Sequence, residues 1–425
     1  MSDYRQMWSE LEMDLEPHDN LLKALSEIYQ SVYLSQRNRP SAMSYFDFVI
    51  SEIHGLRVKE LVQHRAGGSK VFGAFCVYVP EEIILAAGGI CIGLCAGADM
   101  STSSAEQILP RNICPLIKSA FGFKLERICP YFQVCDLVIG ETTCDGKKKA
   151  WEILASYAPV YVMELPQCKD EKDRNLWRSE IFAFKQKVEE ITGKKVTAPE
   201  LAEAATLLNA RRASLQRLYD LRKADPVPLS GLDALLAVQV SFYDDPIRFT
   251  QQVNALCDEV ETRVKEKTGV FPSGTPRVLI AGSPVVIPNW KIHSIIESSG
   301  AAVVCEESCT GTRLLTGDTV INKEDLDAQV AAIAERQLRT NCACFTPNRE
   351  RIEDILNLCE KYAVDGVIYY SLLFCQPYLM EAVKVKEALE RKNIPVLMLE
   401  SDYGSGDVEQ IRTRVQAFIE MISGR

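Results

Sequence analysis

Short apolar runs with β character, each followed by a turn and then a helix-like stretch, recur in two blocks of this 425-residue chain. In the first block KVFGAFCVYVP, CDLVIGETTC and PVYVMELP read as strands. PEEIILAAG opens a helix with Pro and two acids in its first turn, and a further helical run lies near 147–157. In the second block RVLIAGSPVVIP, AAVVCEES, DGVIYYSLLFC and IPVLMLES read as strands, with helical stretches near 291–299, 325–338, 350–362, 378–391 and 407–422. Parallel neighbours need a crossover between them, and a helix is the usual crossover. The alternation therefore predicts an α/β fold with two Rossmann-like parallel-sheet domains.

Residues 1–65 carry helical apolar spacing, as in Leu21, Leu22, Leu25, Ile28 and Tyr29. The stretch 169–272 is charge-rich and helical, and a break follows at Phe271-Pro-Ser-Gly-Thr-Pro276. The expected organisation is a helical N-terminal region (1–65), a first α/β domain (66–168), a helical segment (169–272) and a second α/β domain (273–425). Each α/β block contains an acid-led strand that runs into a cysteine and then a helix: Asp136 to Cys144, and Asp365 to Cys375.

Cysteine usage points to chemistry. Fifteen cysteines are far below the density of a disulfide scaffold. The acidic, amphipathic start MSDYRQMWSELEMDLE has no basic region followed by an apolar one, so a cytoplasmic, reducing environment is expected. The apolar stretch Ile83 to Ala98 is too short and too glycine-rich to span a membrane, and reads as buried helix, turn and strand. A net charge of −10, with one short basic triplet at Lys147, Lys148 and Lys149, argues against nucleic acid as a partner.

Position separates the cysteines. Cys114 precedes Pro115 and a helical run, near an N-cap where the helix dipole favours a thiolate. Cys144 lies on the turn of GETTCDGKKKAWE, where Gly146 permits close backbone approach, and a helix begins near Lys147. Cys375, in YYSLLFCQPYLME, repeats the logic of Cys114. Cys309 sits in CEESCTG just before Gly311, and Cys76 ends a strand ahead of Pro80. Cys342 and Cys344 form a C-x-C pair ahead of a turn and a helix, with Cys344 the favoured ligand. Thiolates gathered on strand-to-helix turns suit iron–sulfur chemistry, because ligands collect at such turns in α/β sheets. Cys91, Cys95, Cys129, Cys135, Cys168, Cys257, Cys305 and Cys359 lie inside apolar or helical runs and read as core packing. The lysine triplet reads equally as a solvated helix face or as positive charge beside a cluster.

Other chemistries lack their signatures. C-x-x-C is absent, which removes zinc ribbons and thioredoxin-like pairs. The four histidines, at 18, 54, 64 and 293, have no metal-pair spacing. Gly140 to Gly146-Lys147 has five residues between its glycines, and Lys148 replaces the Ser or Thr of a phosphate-binding loop. The chain thus shows no ATP site of its own.

VIGETTCDGKKKAWE, ICPLIKS, CACFTPNRER and DGVIYYSLLFCQPYLME together resemble the 2-hydroxyacyl-CoA dehydratase and benzoyl-CoA reductase superfamily, and within it the single-chain double-cubane cluster proteins. The likeness runs from about residue 65 to the C-terminus. It implies an iron–sulfur reductase holding a double-cubane [8Fe–9S] cluster between two α/β domains. The implied ligands are Cys76, Cys114 and Cys144 from the first domain and Cys309, Cys344 and Cys375 from the second. Cys342 could replace Cys344, and Cys129 or Cys135 could replace Cys76. The resemblance further implies a homodimer, a small-molecule substrate, and electrons from a separate ATP-hydrolysing activator with its own [4Fe–4S] cluster. Its alternative is one subunit of a 2-hydroxyacyl-CoA dehydratase with one [4Fe–4S] cluster. Glu141 and Glu307 are the candidate catalytic carboxylates, with Asp145, Glu306 and Arg313 as further polar neighbours of the proposed ligands.

Overall fold

A computed structural model describes residues 4–94 and 97–424. Among them are two four-stranded sheets, both wholly parallel. The first contains β1 (Val71–Ala74), β2 (Ile90–Gly93), β3 (Leu137–Glu141) and β4 (Val160–Met163), in the spatial order β2-β1-β3-β4. The second contains β5 (Arg277–Gly282), β6 (Ala302–Glu307), β7 (Gly366–Leu372) and β8 (Val396–Ser401), in the order β6-β5-β7-β8. The two orders are the same pattern, and the α/β class with two Rossmann-like parallel sheets is as the alternation predicts.

The acid that leads the third strand of each sheet has one job in both halves. The Asp136 carboxylate accepts the Val71 N–H at 2.8 Å, and the Asp136 N–H donates to the Val71 carbonyl at 2.8 Å. Asp365 does the same with Arg277, again at 2.8 Å in both directions. Each aspartate thereby satisfies the otherwise unpaired backbone at the start of the sheet's central strand. Both sheets change direction of winding between those central strands, β1/β3 and β5/β7. The carboxyl ends of the strands beside such a switch point leave a crevice where ligands bind.

β3, β5, β6 and β7 are buried along their whole lengths, as strands covered on both faces must be. The helices expected in the second block form at Lys291–Ser298, Leu326–Leu338, Arg349–Lys361, Gln376–Arg391 and Val408–Ser423. The stretch between the sheets folds into Glu171–Thr192, Ala198–Leu221, Gly231–Val240 and Pro246–Lys265. Every residue of Gly231–Val240 is buried, and this helix packs on β6 so tightly that a Cβ at Gly231 would stand 2.8 Å from the Val303 carbonyl oxygen. Of the N-terminal helices, Arg5–Glu10, Leu15–Tyr29, Met43–Ser51 and Leu56–Ala66, Met43–Ser51 packs against it, and Tyr33, in the segment that follows Leu15–Tyr29, donates its hydroxyl to the Leu232 carbonyl at 3.1 Å.

Three local expectations need correction. KVFGAFCVYVP supplies only the four residues of β1, and Cys76 lies in the loop beyond it, because the parallel neighbours β2 and β3 offer partners only as far as Ala74. The helix after β3 starts at Asp145, two residues before Lys147. Gly146 is not demanded by crowding: a Cβ there would meet the end of the Ile117 side chain at 3.2 Å. The close approach belongs to Gly140, where a Cβ would stand 2.6 Å from three atoms of the Trp151 indole. That contact seats the helix carrying Trp151, and with it Cys144, against β3.

Candidate functional site

The carboxyl ends of β1, β2, β3, β5, β6 and β7 open onto one cavity of about 1010 Å³ between the two sheets. Eight cysteines lie on its wall: Cys76, Cys91, Cys114, Cys144, Cys309, Cys342, Cys344 and Cys375. All six of the ligands implied by the resemblance are among them, as is Cys342. Cys129 and Cys135, the possible replacements for Cys76, are not on this wall and pack on the core beneath β1. Cys257, Cys305 and Cys359 are buried in the core, and Cys168 is partly exposed after β4. Cys91 departs from the expectation of plain core packing: on β2 it faces the cavity, with Glu81 and Arg211 close enough to act on it electrostatically. Cys95 falls outside the described residues.

The thiols fall into two groups. Cys114, Cys144 and Cys375 form the first: the Cys375 thiol hydrogen-bonds Cys114, and the charges of Cys114 and Cys144 act on Cys375. Each is the N-cap of a helix, respectively Pro115–Leu125, Asp145–Leu154 and Gln376–Arg391. Three positive helix ends therefore meet at one place and favour thiolate, while burial still pushes the Cys144 thiol up and the bond to Cys114, with burial, pushes the Cys375 thiol up. The Cys144 sulfur also accepts the Lys147 N–H at 3.4 Å. The bond from Cys375 and the N–H groups of Leu116 and Ile117 hold the Cys114 thiol below the ordinary range against the effect of burial.

Cys76, Cys309, Cys342 and Cys344 form the second group, linked by mutual electrostatic effects and by a hydrogen bond between Cys342 and Cys344. The bond from Cys344 and the charge of Arg313 draw the Cys342 thiol down, while burial pushes Cys76 and Cys309 up. The Tyr378 hydroxyl stands 3.7 Å from the Cys342 sulfur.

Two cations serve these groups. Lys147 acts on Cys114 and Cys144 in the first and on Cys76 and Cys309 in the second, so it stands between them. Its ammonium pairs with Glu141, whose carboxylate also accepts from the Thr143 hydroxyl at 3.0 Å. Lys148 and Lys149 are exposed, so the basic triplet divides into one site residue and two solvated ones. Arg313 acts on Cys309 and Cys342 and is fixed by the Gly282 carbonyl, the Tyr378 hydroxyl and Glu307. Glu307 in turn binds Arg351 through both carboxylate oxygens, at 3.1 and 2.7 Å. Glu141 and Glu307 thus lie behind the wall as anchors of the two cations, and Glu306 is engaged by Arg222 and Tyr219. Asp145 is exposed at the cavity's edge.

The donor set fits a polynuclear thiolate-bound group. Among the described residues no three His, Cys, Asp or Glu side chains converge closely enough to hold a single metal ion. A cluster presents several metal atoms, each taking its own thiolate, so its ligands stand apart around it. Thiols distributed over a roomy wall, with the cations Lys147 and Arg313 among them, answer that requirement. Among the described residues no histidine lines the cavity.

Residues 76–422 match the family model described as 2-hydroxyglutaryl-CoA dehydratase, D-component. The chain is 38% identical over 358 residues to "Putative dehydratase subunit YjiM" of Escherichia coli (strain K12), covering 84% of this chain and 92% of the relative. It is 23% identical to the (R)-phenyllactyl-CoA dehydratase beta subunit of Clostridium sporogenes, over 84% and 92% of the two chains. It is 22% identical to a benzoyl-CoA reductase subunit of Thauera aromatica, over 83% and 91%. A structure of the SBP FpvC from Pseudomonas aeruginosa with Mn2+ covers 84% of this chain and 99% of its own at 10% identity, with a TM-score of 0.20, too slight a likeness to bear on the fold.

Proposed function

Since this chain belongs to the 2-hydroxyglutaryl-CoA dehydratase D-component family, whose named relatives are dehydratase and reductase subunits, we propose that it is an iron–sulfur reductase built around a double-cubane [8Fe–9S] cluster. In this reading it reduces a small molecule at low potential, works as a homodimer, and receives electrons from a separate ATP-hydrolysing activator that carries a [4Fe–4S] cluster. The observation that carries the reading is the division of the cavity's thiols into two groups. Cys114, Cys144 and Cys375 would hold one cubane, and Cys76, Cys309 and Cys344 the other. Cys342, whose thiol is engaged by Cys344 and lies beside Tyr378, stands as the substitute for Cys344.

Bound there, such a cluster would supply one-electron chemistry at a potential set by its charge, burial and hydrogen bonds. The chain's own residues do the rest. Lys147 and Arg313 place positive charge against the thiolates and so offset the cost of gathering like charges in a buried space. Glu141 and Glu307 hold those two cations in place. The helix ends at Cys114, Cys144 and Cys375 aim backbone N–H groups at the same region.

A second reading rests on the relatives, several of which are named as dehydratase subunits. Here the chain would be one subunit of a 2-hydroxyacyl-CoA dehydratase with one [4Fe–4S] cluster, which would engage one thiol group and leave the other free. Anaerobic purification with iron and acid-labile sulfide counts decides between them. About eight iron atoms per chain supports the double cubane, about four supports the dehydratase subunit, and none defeats both.

A further inference from the structure

Another wall of the same cavity, beside Cys91, is formed by Arg211 and Arg212 on the helix Ala198–Leu221 and by Arg336 on Leu326–Leu338. Arg211 has a carboxylate of its own, with Glu81 at 2.5 and 3.0 Å from two of its nitrogens. Arg212 and Arg336 share Glu82, and neither reaches it closely: the separations are 3.5 and 3.8 Å. Their side chains are 7% and 8% exposed, and that of Glu82 is 1% exposed. The Nε of each of these two arginines is buried without a hydrogen-bond partner. Among the described residues, Asn209, Thr319 and, at 3.5 Å, Glu82 accept from Arg212, whereas the Arg336 guanidinium makes no hydrogen bond. Asp318 also acts on Arg212, but it is exposed and its charge is screened by solvent.

Against burial, the charges of Arg336 and Arg212 hold the Glu82 carboxyl below its ordinary range, yet a buried guanidinium with one distant, shared carboxylate and no hydrogen bond is under-satisfied. Burial, followed by the repulsion of Arg336, lowers the Arg212 pKa to about 10. Three guanidiniums face two carboxylates here, which leaves one positive charge on this wall. A planar fork of N–H donors matches a carboxylate. Ile92, Leu208 and Phe242 give the adjoining cavity surface an apolar lining.

We propose that Arg212 and Arg336 bind the carboxylate of a small monoanionic substrate within the cavity that the thiol groups share. The assignment of this ligand as substrate rests on the reading of the cavity as the reaction site, and one uncompensated charge suits a carboxylate better than a phosphate dianion.

The test is thermal unfolding of the purified full-length protein in anaerobic, chloride-free buffer at pH 7 and constant ionic strength, titrated with sodium acetate and, separately, with sodium phosphate. Acetate raises the melting temperature of the wild type in a saturable way. Arg336→Gln weakens acetate binding at least tenfold, and Arg212→Gln does so as well. Glu82→Gln, which removes the competing carboxylate, tightens it. R336Q leaves the buried Glu82 with Arg212 alone and so lowers the ligand-free melting temperature, and each acetate response is read against the variant's own ligand-free value. An acetate response equal in R336Q and wild type overturns the proposal, as does a response to phosphate but not to acetate. Iron is counted on the same samples. Iron present without Arg336-dependent acetate binding sinks the anion site alone. Arg336-dependent binding in a protein that carries no iron sinks the cluster reading and leaves the anion site standing.

Discussion

Replacing Glu307 by Gln removes one negative charge from between two buried guanidiniums. The Glu307 side chain is 2% exposed, that of Arg351 is 0% and that of Arg313 is 4%. Arg351 reaches both Glu307 oxygens, and the Nε of Arg313 lies 3.1 Å from one of them. Breaking a buried ion pair from one side costs about 3–5 kcal/mol, because the partner charge stays buried. The lower end applies here, since Arg351 retains Glu381 and the new amide oxygen still accepts one hydrogen bond. With an unfolding entropy of about 2.1 cal/mol/K per residue over the chain, about 3 kcal/mol lowers Tm by roughly 3–4 °C. Anaerobic thermal and urea unfolding read this directly. A cycle with Arg351→Met should give a coupling of about 1 kcal/mol or more, because the two groups are in contact. A carboxylate kept for proton transfer would behave otherwise, costing little stability when neutralised. If E307Q unfolds within about 0.5 kcal/mol of the wild type, the anchoring role assigned to Glu307 is wrong.

The thiol assignment makes its own prediction: Cys144→Ala and Cys375→Ala each lose about half of the bound iron or more, whereas Cys257→Ala, deep in the core, keeps it. Iron contents that are alike across all three variants would contradict the grouping. Gly140→Ala drives a methyl group into the Trp151 indole and should cost about 1–3 kcal/mol, measured by urea unfolding; a neutral result would mean that β3 and the Trp151 helix are not packed as described. The buried pair His18 and His54, 3.0 Å apart, predicts acid sensitivity in the N-terminal helices. Burial lowers the His18 pKa from 6.5 to about 4. The unfolded chain therefore takes up a proton below pH 6.5 that the folded chain refuses until about pH 4, and stability falls across that window as pH drops. The loss is up to about 3 kcal/mol, at roughly 1.4 kcal/mol per pH unit. His18→Gln should flatten the slope of unfolding free energy between pH 6.5 and pH 5, and an unchanged slope would remove His18 from the explanation.

Most elements were legible because each carried a local cause. Pro115 and Pro377 sit in the first turns of the helices that Cys114 and Cys375 cap, and Asp136 and Asp365 announce the strands they lead. What local sequence does not contain is which surfaces face each other. KVFGAFCVYVP has strand composition throughout, yet pairing stops at Ala74 when the neighbours' edges run out, and only tertiary structure sets that limit. Cys91 looked like any apolar-run cysteine, because nothing near it reports that β2 ends at a cavity. The arginine wall was missed for a related reason. Arg211, Arg212 and Arg336 occur in helical stretches where charge is solvated by default. The available signal was the pair Glu81 and Glu82 at the start of an otherwise apolar helix, two acids that need buried cations if that helix turns inward.

The equivalence of the two sheets explains how the thiols come to be shared. The strand orders match, and matching aspartates fasten the central strands, so each half presents the same switch point to the cavity. The first thiol group then draws Cys114 and Cys144 from one half and Cys375 from the other. The second draws Cys76 from the first half and Cys309, Cys342 and Cys344 from the second. Neither half completes either group, and the cation Lys147, from the first half, reaches cysteines of both groups. The constellation is therefore a property of the docked halves and not of either Rossmann-like unit. Any motion that separates the two sheets must open both groups together, which couples the integrity of the whole site to that one interface.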